Sequence, residues 1–184
     1  EPDAGLGPYM DSGSIPYFVL GASLPLVRVG RLSLAALAEW DVGARSSTAR
    51  GDASSIVVNR LAAGLEGRAA LAKRLYAFAR ISPAAMHVGA SIEDPGAMGR
   101  ALEAGGWTWA LDTSAGGALM LAGNARSRMR LWLVAEAGYE FTGSVPMRFA
   151  PPEEVGDPRT FGTVDLPDAR PQGAIGSLSL ALGF

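Results

Sequence analysis

Large apolar residues alternate with small or polar ones in Leu178-Ser179-Leu180-Ala181-Leu182-Gly183-Phe184. A period of two residues predicts a β-strand with one apolar face, because successive side chains of a strand point to opposite sides of the sheet. In a soluble protein this face would pack against a core, whereas in an outer-membrane barrel it would face lipid. The terminal strand therefore predicts an all-β fold and leaves its environment open.

The same alternation recurs throughout the chain. In the segment 128–142, residues Met129, Leu131, Leu133 and their successors alternate for fifteen positions with a mainly polar or small set, in which Trp132 and Val134 are the large apolar residues. Segments of this length with apolar and polar faces are typical of antiparallel transmembrane barrels. Seven strands are predicted, near residues 15–25, 31–45, 56–72, 75–91, 105–122, 128–144 and 173–184.

Composition narrows the class of protein. The chain has 184 residues, of which 48% are hydrophobic and 18% are charged, with a net charge of −2 and no Cys. No uncharged apolar run reaches 18 residues, so no transmembrane helix is predicted. The absence of Cys excludes disulfides, thiolate metal ligands and a Cys nucleophile. Without a run of Lys or Arg, we expect no nucleic-acid partner.

No motif indicates catalysis. The single histidine, His87, has no Ser and Asp arranged around it as a triad would require, and no phosphate-binding loop or dinucleotide fingerprint occurs. We therefore expect neither an enzyme nor a bound cofactor or metal ion. Glu136 and Glu140 are both acidic, but about 13 Å of strand would separate them, too far to share a glycosidic bond comfortably.

The connections predict the domain organisation. Residues 1–14 are an N-terminal extension or loop, with residues 4–10 as the candidate for a weak first strand, and residues 15–184 form the β-barrel domain. Long loops are expected near 46–55, 92–104 and 145–172, the last with short strand segments at 145–149 and 160–165. Short and long connections alternate, as they do in small barrels with short periplasmic turns.

Alternation also assigns side chains to faces. Aromatic residues near strand ends are candidates for the membrane interface, and charged residues on the polar face are candidates for a salt-bridge network that fills the lumen. The interface candidates are Trp40, Trp107, Trp109, Tyr139, Phe141 and Phe184. The lumen candidates are Glu39, Asp41, Arg45, Arg60, Glu66, Arg68, Arg80, Asp112, Arg128, Arg130, Glu136 and Glu140, six acids and six bases that nearly neutralise one another.

Two segments allow alternatives. Residues 56–79 also fit an amphipathic helix, although Gly64 and Gly67 disfavour one. In the segment 75–92 the apolar phase changes, and a bulge at Ser82-Pro83 would keep both Arg80 and His87 inside the lumen.

The terminal strand, the alternation and the connection lengths together resemble small bacterial outer-membrane β-barrels of the OmpA/OmpX/OmpW type. This resemblance implies an antiparallel up-and-down transmembrane β-barrel of about eight strands in the outer membrane of a Gram-negative envelope. It also implies that the insertion machinery reads an assembly signal formed by Leu178, Leu180, Leu182 and Phe184. Because seven strands are visible, the eighth comes from residues 4–10, from a missing segment or from another chain.

For function, we expect a non-enzymatic structural, anchoring or interaction protein at the cell surface, as a subunit of a larger envelope complex or on its own. Its partners would be the lipid bilayer, the insertion machinery and a protein that contacts the long loops or completes the barrel. Two alternatives stay open. One is a narrow, porin-like transport barrel for small molecules, and the other is a soluble lipocalin-like barrel that binds an apolar ligand.

Overall fold

The computed structural model of the protein describes residues 15–49, 52–93, 101–123, 129–149 and 164–183. Every regular element in these ranges is a β-strand, as the two-residue alternation predicts. The strands are β1 (Tyr17–Val29), β2 (Leu32–Ala49), β3 (Asp52–Ala72), β4 (Leu75–Glu93), β5 (Ala101–Ala122), β6 (Arg130–Thr142), β7 (Val145–Phe149), β8 (Val164–Ala169) and β9 (Gly173–Gly183).

Seven long strands form one antiparallel sheet in the order β1-β2-β3-β4-β5-β6-β9, and the sheet curls into a half-barrel. The all-β antiparallel architecture and all seven predicted strands are confirmed. Because the sheet is a meander, the β1–β2, β3–β4 and β5–β6 connections lie at one end, which we call the short-turn end. At this end Gly30 takes a φ of 60°, a conformation that a residue without a Cβ adopts most readily.

The helical alternative for residues 56–79 is wrong, since β3 and β4 pair with each other through this region. Strands also extend into the stretches that were expected to be long loops. β2 and β3 cover most of residues 46–55, and β4 and β5 reach residues 93 and 101 inside the stretch 92–104. Within residues 145–172, β7 confirms the short strand predicted at 145–149, and β8 begins four residues later than the segment predicted at 160–165; the two form a separate hairpin. The candidate first strand at residues 4–10 lies outside the described residues.

The prediction of a bulge at Ser82-Pro83 is wrong. The β4–β5 register runs without a shift from Leu75 opposite Leu119 to Glu93 opposite Ala101. Ser82 and Pro83 instead lack a β3 partner, which suits a proline that cannot donate a ladder hydrogen bond. Register shifts occur near the short-turn end instead, between Pro25 and Val27, Ala70 and Ala72, and Met120 and Ala122.

The apolar phase change in β4 has another cause, which is a hairpin inside the half-barrel. Without the bulge, Met86, Val88 and Ala90 share the inner face with Arg80, while His87 faces outward. These apolar residues are buried because the β7–β8 hairpin covers them with Val145, Met147 and Phe149. The resulting upper core consists of Ile56, Val58, Met86, Val88, Ala90, Ala110, Val145, Met147, Phe149 and Ala169.

At Gly138, β6 lies so close to β5 that a larger side chain would clash, and this packing can be tested by substitution. A Cβ built there would lie 2.7 Å from Ser114 Cα and closer still to the Thr113 carbonyl oxygen, whereas at Gly176 it would come no closer than 3.9 Å to any atom. We expect Gly138→Ala to lower the free energy of unfolding by about 1–3 kcal/mol. The matched Gly176→Ala should leave it unchanged or slightly raised. Equal urea midpoints for the two variants would contradict this packing.

Candidate functional site

The inner face of the half-barrel carries two charged clusters, the larger of which centres on Arg60. The Arg60 cluster joins this guanidinium on β3 to Asp41 on β2, Asp112 on β5 and Glu140 on β6. Arg60 and Asp41 are cross-strand neighbours, and so are Asp112 and Glu140. Two acids placed directly opposite each other repel, so Arg60 holds together a pair that would otherwise separate. All four residues are buried.

The Arg80 cluster lies nearer the short-turn end. Arg80 on β4 pairs with Glu39 on β2 at 2.5 Å and with Glu136 on β6, and its Nε donates to Ser114 at 3.1 Å. One guanidinium therefore ties together strands that are two positions away on either side. This arrangement is possible because the curled sheet makes the inner side chains converge.

A third ion pair, Arg68–Glu66, sits beside the Arg80 cluster. Arg68 also donates to Ser23 Oγ at 2.8 Å, which connects β3 to the edge strand β1. Together, these contacts bring six carboxyl groups onto three guanidinium groups. The near neutrality expected from sequence therefore does not describe the centre of this face, where carboxyl groups outnumber guanidinium groups.

The predicted lumen charges thus divide into two sets. Nine of the twelve meet in the ion pairs just described. Arg45 and Arg130 lie on the same inner face nearer the ends of β2 and β6, and Arg128 lies outside the described residues. Beyond Trp132 and Val134, the apolar lining between Arg80 and the short-turn end was not predicted from the sequence. There Tyr76 packs on Trp132 with ring centroids 5.0 Å apart, and Phe78 is buried.

The outer face of the sheet is apolar and exposed. From Trp109 to Leu119 on β5, every second residue points outward, and none of these is charged. Among the described side chains, the outward positions of the other long strands follow the same rule, with Glu103 as an exception at the end opposite the short turns. Large outward side chains are strongly exposed, among them Leu61 at 57% and Leu180 at 67%.

The interface candidates lie on this outer face. Trp40, Trp107, Trp109, Tyr139 and Phe141 are all exposed, and Phe184 lies outside the described residues. Through the register, Trp40 on β2, Leu61 on β3, Ala85 on β4 and Trp109 on β5 occupy one row. His87 packs edge-on against Trp107 with ring centroids 5.1 Å apart, so this histidine belongs to the aromatic surface.

A cleft separates the two edge strands of the sheet. β1 and β9 are not paired with each other, and the gap between them opens into a cavity of about 2680 Å³ that the inner face of the half-barrel encloses. We call this cleft the seam. Several inner residues beside it are small, including Gly21, Ser23, Ser177 and Ser179. Of the proposed assembly signal, Leu178, Leu180 and Leu182 are exposed on the outer side of β9.

Comparisons with family models, with curated proteins and with solved structures find no match to this chain. Within the ranges that the structure describes, no group of three or more His, Cys, Asp or Glu side chains could hold a metal ion. No helix in those ranges is long and apolar enough to cross a membrane. The two faces of the sheet and the seam are therefore the features that bear on the function of this chain.

Proposed function

We propose that the protein is an outer-membrane β-barrel with a structural, anchoring or interaction role. The observation that carries this proposal is the facing of the side chains, with the ion pairs inside and the leucine and tryptophan side chains outside. Water would not stabilise so large a continuous apolar surface, whereas lipid would. A soluble lipocalin-like barrel would need the reverse facing, with Glu136 and Glu140 in water, yet Glu140 is buried and Glu136 binds Arg80.

The dimensions of the outer face support this proposal. Ten residue steps from Trp109 to Leu119 correspond to about 34 Å of strand, or about 24 Å of depth for a strand tilted by about 45°. This agrees with an apolar band about 25 Å tall. Trp40 and Trp109 lie in one row at a border of this band, which is where the aromatic residues of a membrane interface are expected.

Closure of the barrel calls for one more strand. In a meander of seven strands, β1 and β9 run in the same direction, so an inserted antiparallel strand must run opposite to both. We propose that this eighth strand comes from outside the described residues or from another chain. An unpaired sheet edge invites association with other strands, and the 13 residues of β1 and 11 of β9 make both edges long.

The interior favours an anchor over a transporter. Ion pairs cross the inner face at its centre, and the upper core fills the space beside β3, β4 and β5. The seam is the feature that favours the alternative of a narrow transport barrel, because it opens the inner face sideways. Transport through a closed barrel would require the β7–β8 hairpin to leave the upper core.

Heat-modifiability tests the proposed function directly. The protein is extracted from membranes with detergent, and its gel mobility is compared with and without boiling. We expect detergent-dependent solubility and a mobility shift on boiling, because a closed hydrogen-bonded barrel resists the gel detergent until it is heated. A freely soluble protein with the same mobility in both samples would overturn the proposal.

A further inference from the structure

The short-turn end carries a charge of one sign. Among the described residues, five segments lie at this end, residues 24–36, 67–79, 117–123, 129–135 and 178–183, and none of them contains Asp or Glu. They contain six basic residues, Arg28, Arg31, Arg68, Lys73, Arg74 and Arg130. Arg28, Arg31, Lys73 and Arg74 are exposed and form what we call the basic rim.

The opposite end differs. There Arg148 pairs with Asp165 at 2.8 Å on the exposed side of the β7–β8 hairpin, and Asp168 and Arg170 follow nearby. Both signs of charge are therefore mixed at this end. The contrast indicates that the positive charge belongs specifically to the short turns.

The basic rim lies where the apolar outer face ends, and Arg28, Arg31 and Lys73 also line the end of the inner cavity. Arg31 precedes Leu32, which is 62% exposed, and Arg74 precedes Leu75. Leu71 and Met129 are exposed on the same border. If the leucines lie in hydrocarbon, the neighbouring charges lie at the depth of the phosphate groups, which long basic side chains reach readily.

We infer that the basic rim binds the phosphates of anionic phospholipids in the leaflet that adjoins the short turns. This inference rests on the proposed membrane function and adds a lipid preference and an anchoring side to it. Charge complementarity and the continuous apolar border favour lipid over a soluble anionic partner, because a soluble partner would not need that border.

Spin-labelled lipids test this inference. The full chain is reconstituted in phosphatidylcholine vesicles containing traces of spin-labelled phosphatidylglycerol or phosphatidylcholine, and the motionally restricted fraction of each label is measured. We expect phosphatidylglycerol to be favoured about two- to fivefold, roughly the contribution of one basic residue near an anionic surface. The preference should weaken as salt screens the charges.

Paired variants locate the effect. Lys73→Gln/Arg74→Gln, which removes two of the four rim charges, should clearly lower the preference, whereas Arg148→Gln/Arg170→Gln, which removes the same charge at the other end, should leave it intact. The inference would be overturned if the unaltered chain restricted the motion of both lipids equally, or if the rim variant kept the full preference for phosphatidylglycerol. Either result would leave membrane insertion in place. The absence of restricted lipid of either kind would overturn both. Equal restriction combined with binding of soluble tripolyphosphate would assign the rim to a soluble anion instead.

Discussion

Replacing Arg60 with methionine is expected to lower the free energy of unfolding by about 3–5 kcal/mol, since removal of one partner leaves buried charge uncompensated. Arg60 is the shared partner of Asp41, Asp112 and Glu140, and all four side chains are buried. Asp41 Oδ1 and Asp112 Oδ1 have no hydrogen-bond partner among the described residues. These two acids therefore depend strongly on the guanidinium.

Methionine is a suitable replacement because it keeps much of the length of the side chain and removes the charge. The measurement is urea unfolding in detergent micelles, followed by tryptophan fluorescence. Arg148→Gln serves as the control, because its ion pair with Asp165 is exposed at 2.8 Å and such pairs contribute less than about 1 kcal/mol. A loss for Arg60→Met as small as that of the control would show that the Arg60 cluster does not stabilise the fold.

A rescue variant separates electrostatics from packing. Arg60→Met combined with Asp41→Asn, Asp112→Asn and Glu140→Gln removes the guanidinium and all three carboxylates at nearly constant volume. If uncompensated charge causes the loss, the combined variant should recover most of the stability, because neutral groups cost less to bury. If the loss persists, the packing of the Arg60 side chain is responsible and the electrostatic account is wrong.

Much of the fold follows from the sequence because strand alternation is a local property. In β6, Leu131, Leu133 and Ala135 face outward and Arg130 and Trp132 face inward, as their order alone predicts. Nine of the predicted lumen charges meet for the same reason, since residues on one face of a curled sheet converge.

The features that local alternation could not predict depend on distant contacts. Met86 and Val88 look lipid-facing in sequence because they are apolar, yet they are buried by Val145 and Met147, which lie more than fifty residues further along the chain. The imbalance of charge around Arg60 also depends on which side chains from four strands reach one another. Strand alternation therefore predicts which residues share the inner face, but it does not predict which acidic and basic side chains pair there.

The outer face gives the second prediction with a large effect, in which the cost of an introduced arginine depends on depth. Leu65 lies on β3 between Leu61 and Leu71, near the middle of the apolar band, and is 46% exposed. We expect Leu65→Arg to make folding into lipid vesicles less favourable by about 2–4 kcal/mol, the cost of this charge at the bilayer midplane. Leu65→Ala, which shortens the same side chain without adding charge, should change it by much less.

Leu133 provides the comparison at another depth, because it lies three residues from the start of β6 at the short-turn end. Leu133→Arg should cost about 0–1 kcal/mol, since an arginine near the interface reaches the headgroups. Val134→Thr, which alters a side chain lining the seam, should be tolerated as well. The measurement is folding into phosphatidylcholine vesicles across a urea series, scored by gel mobility without boiling. On a surface that faces water, the cost of an introduced arginine would not depend on its position along the strand. Equal changes in folding free energy for Leu65→Arg and Leu133→Arg would therefore argue that the outer face does not meet lipid.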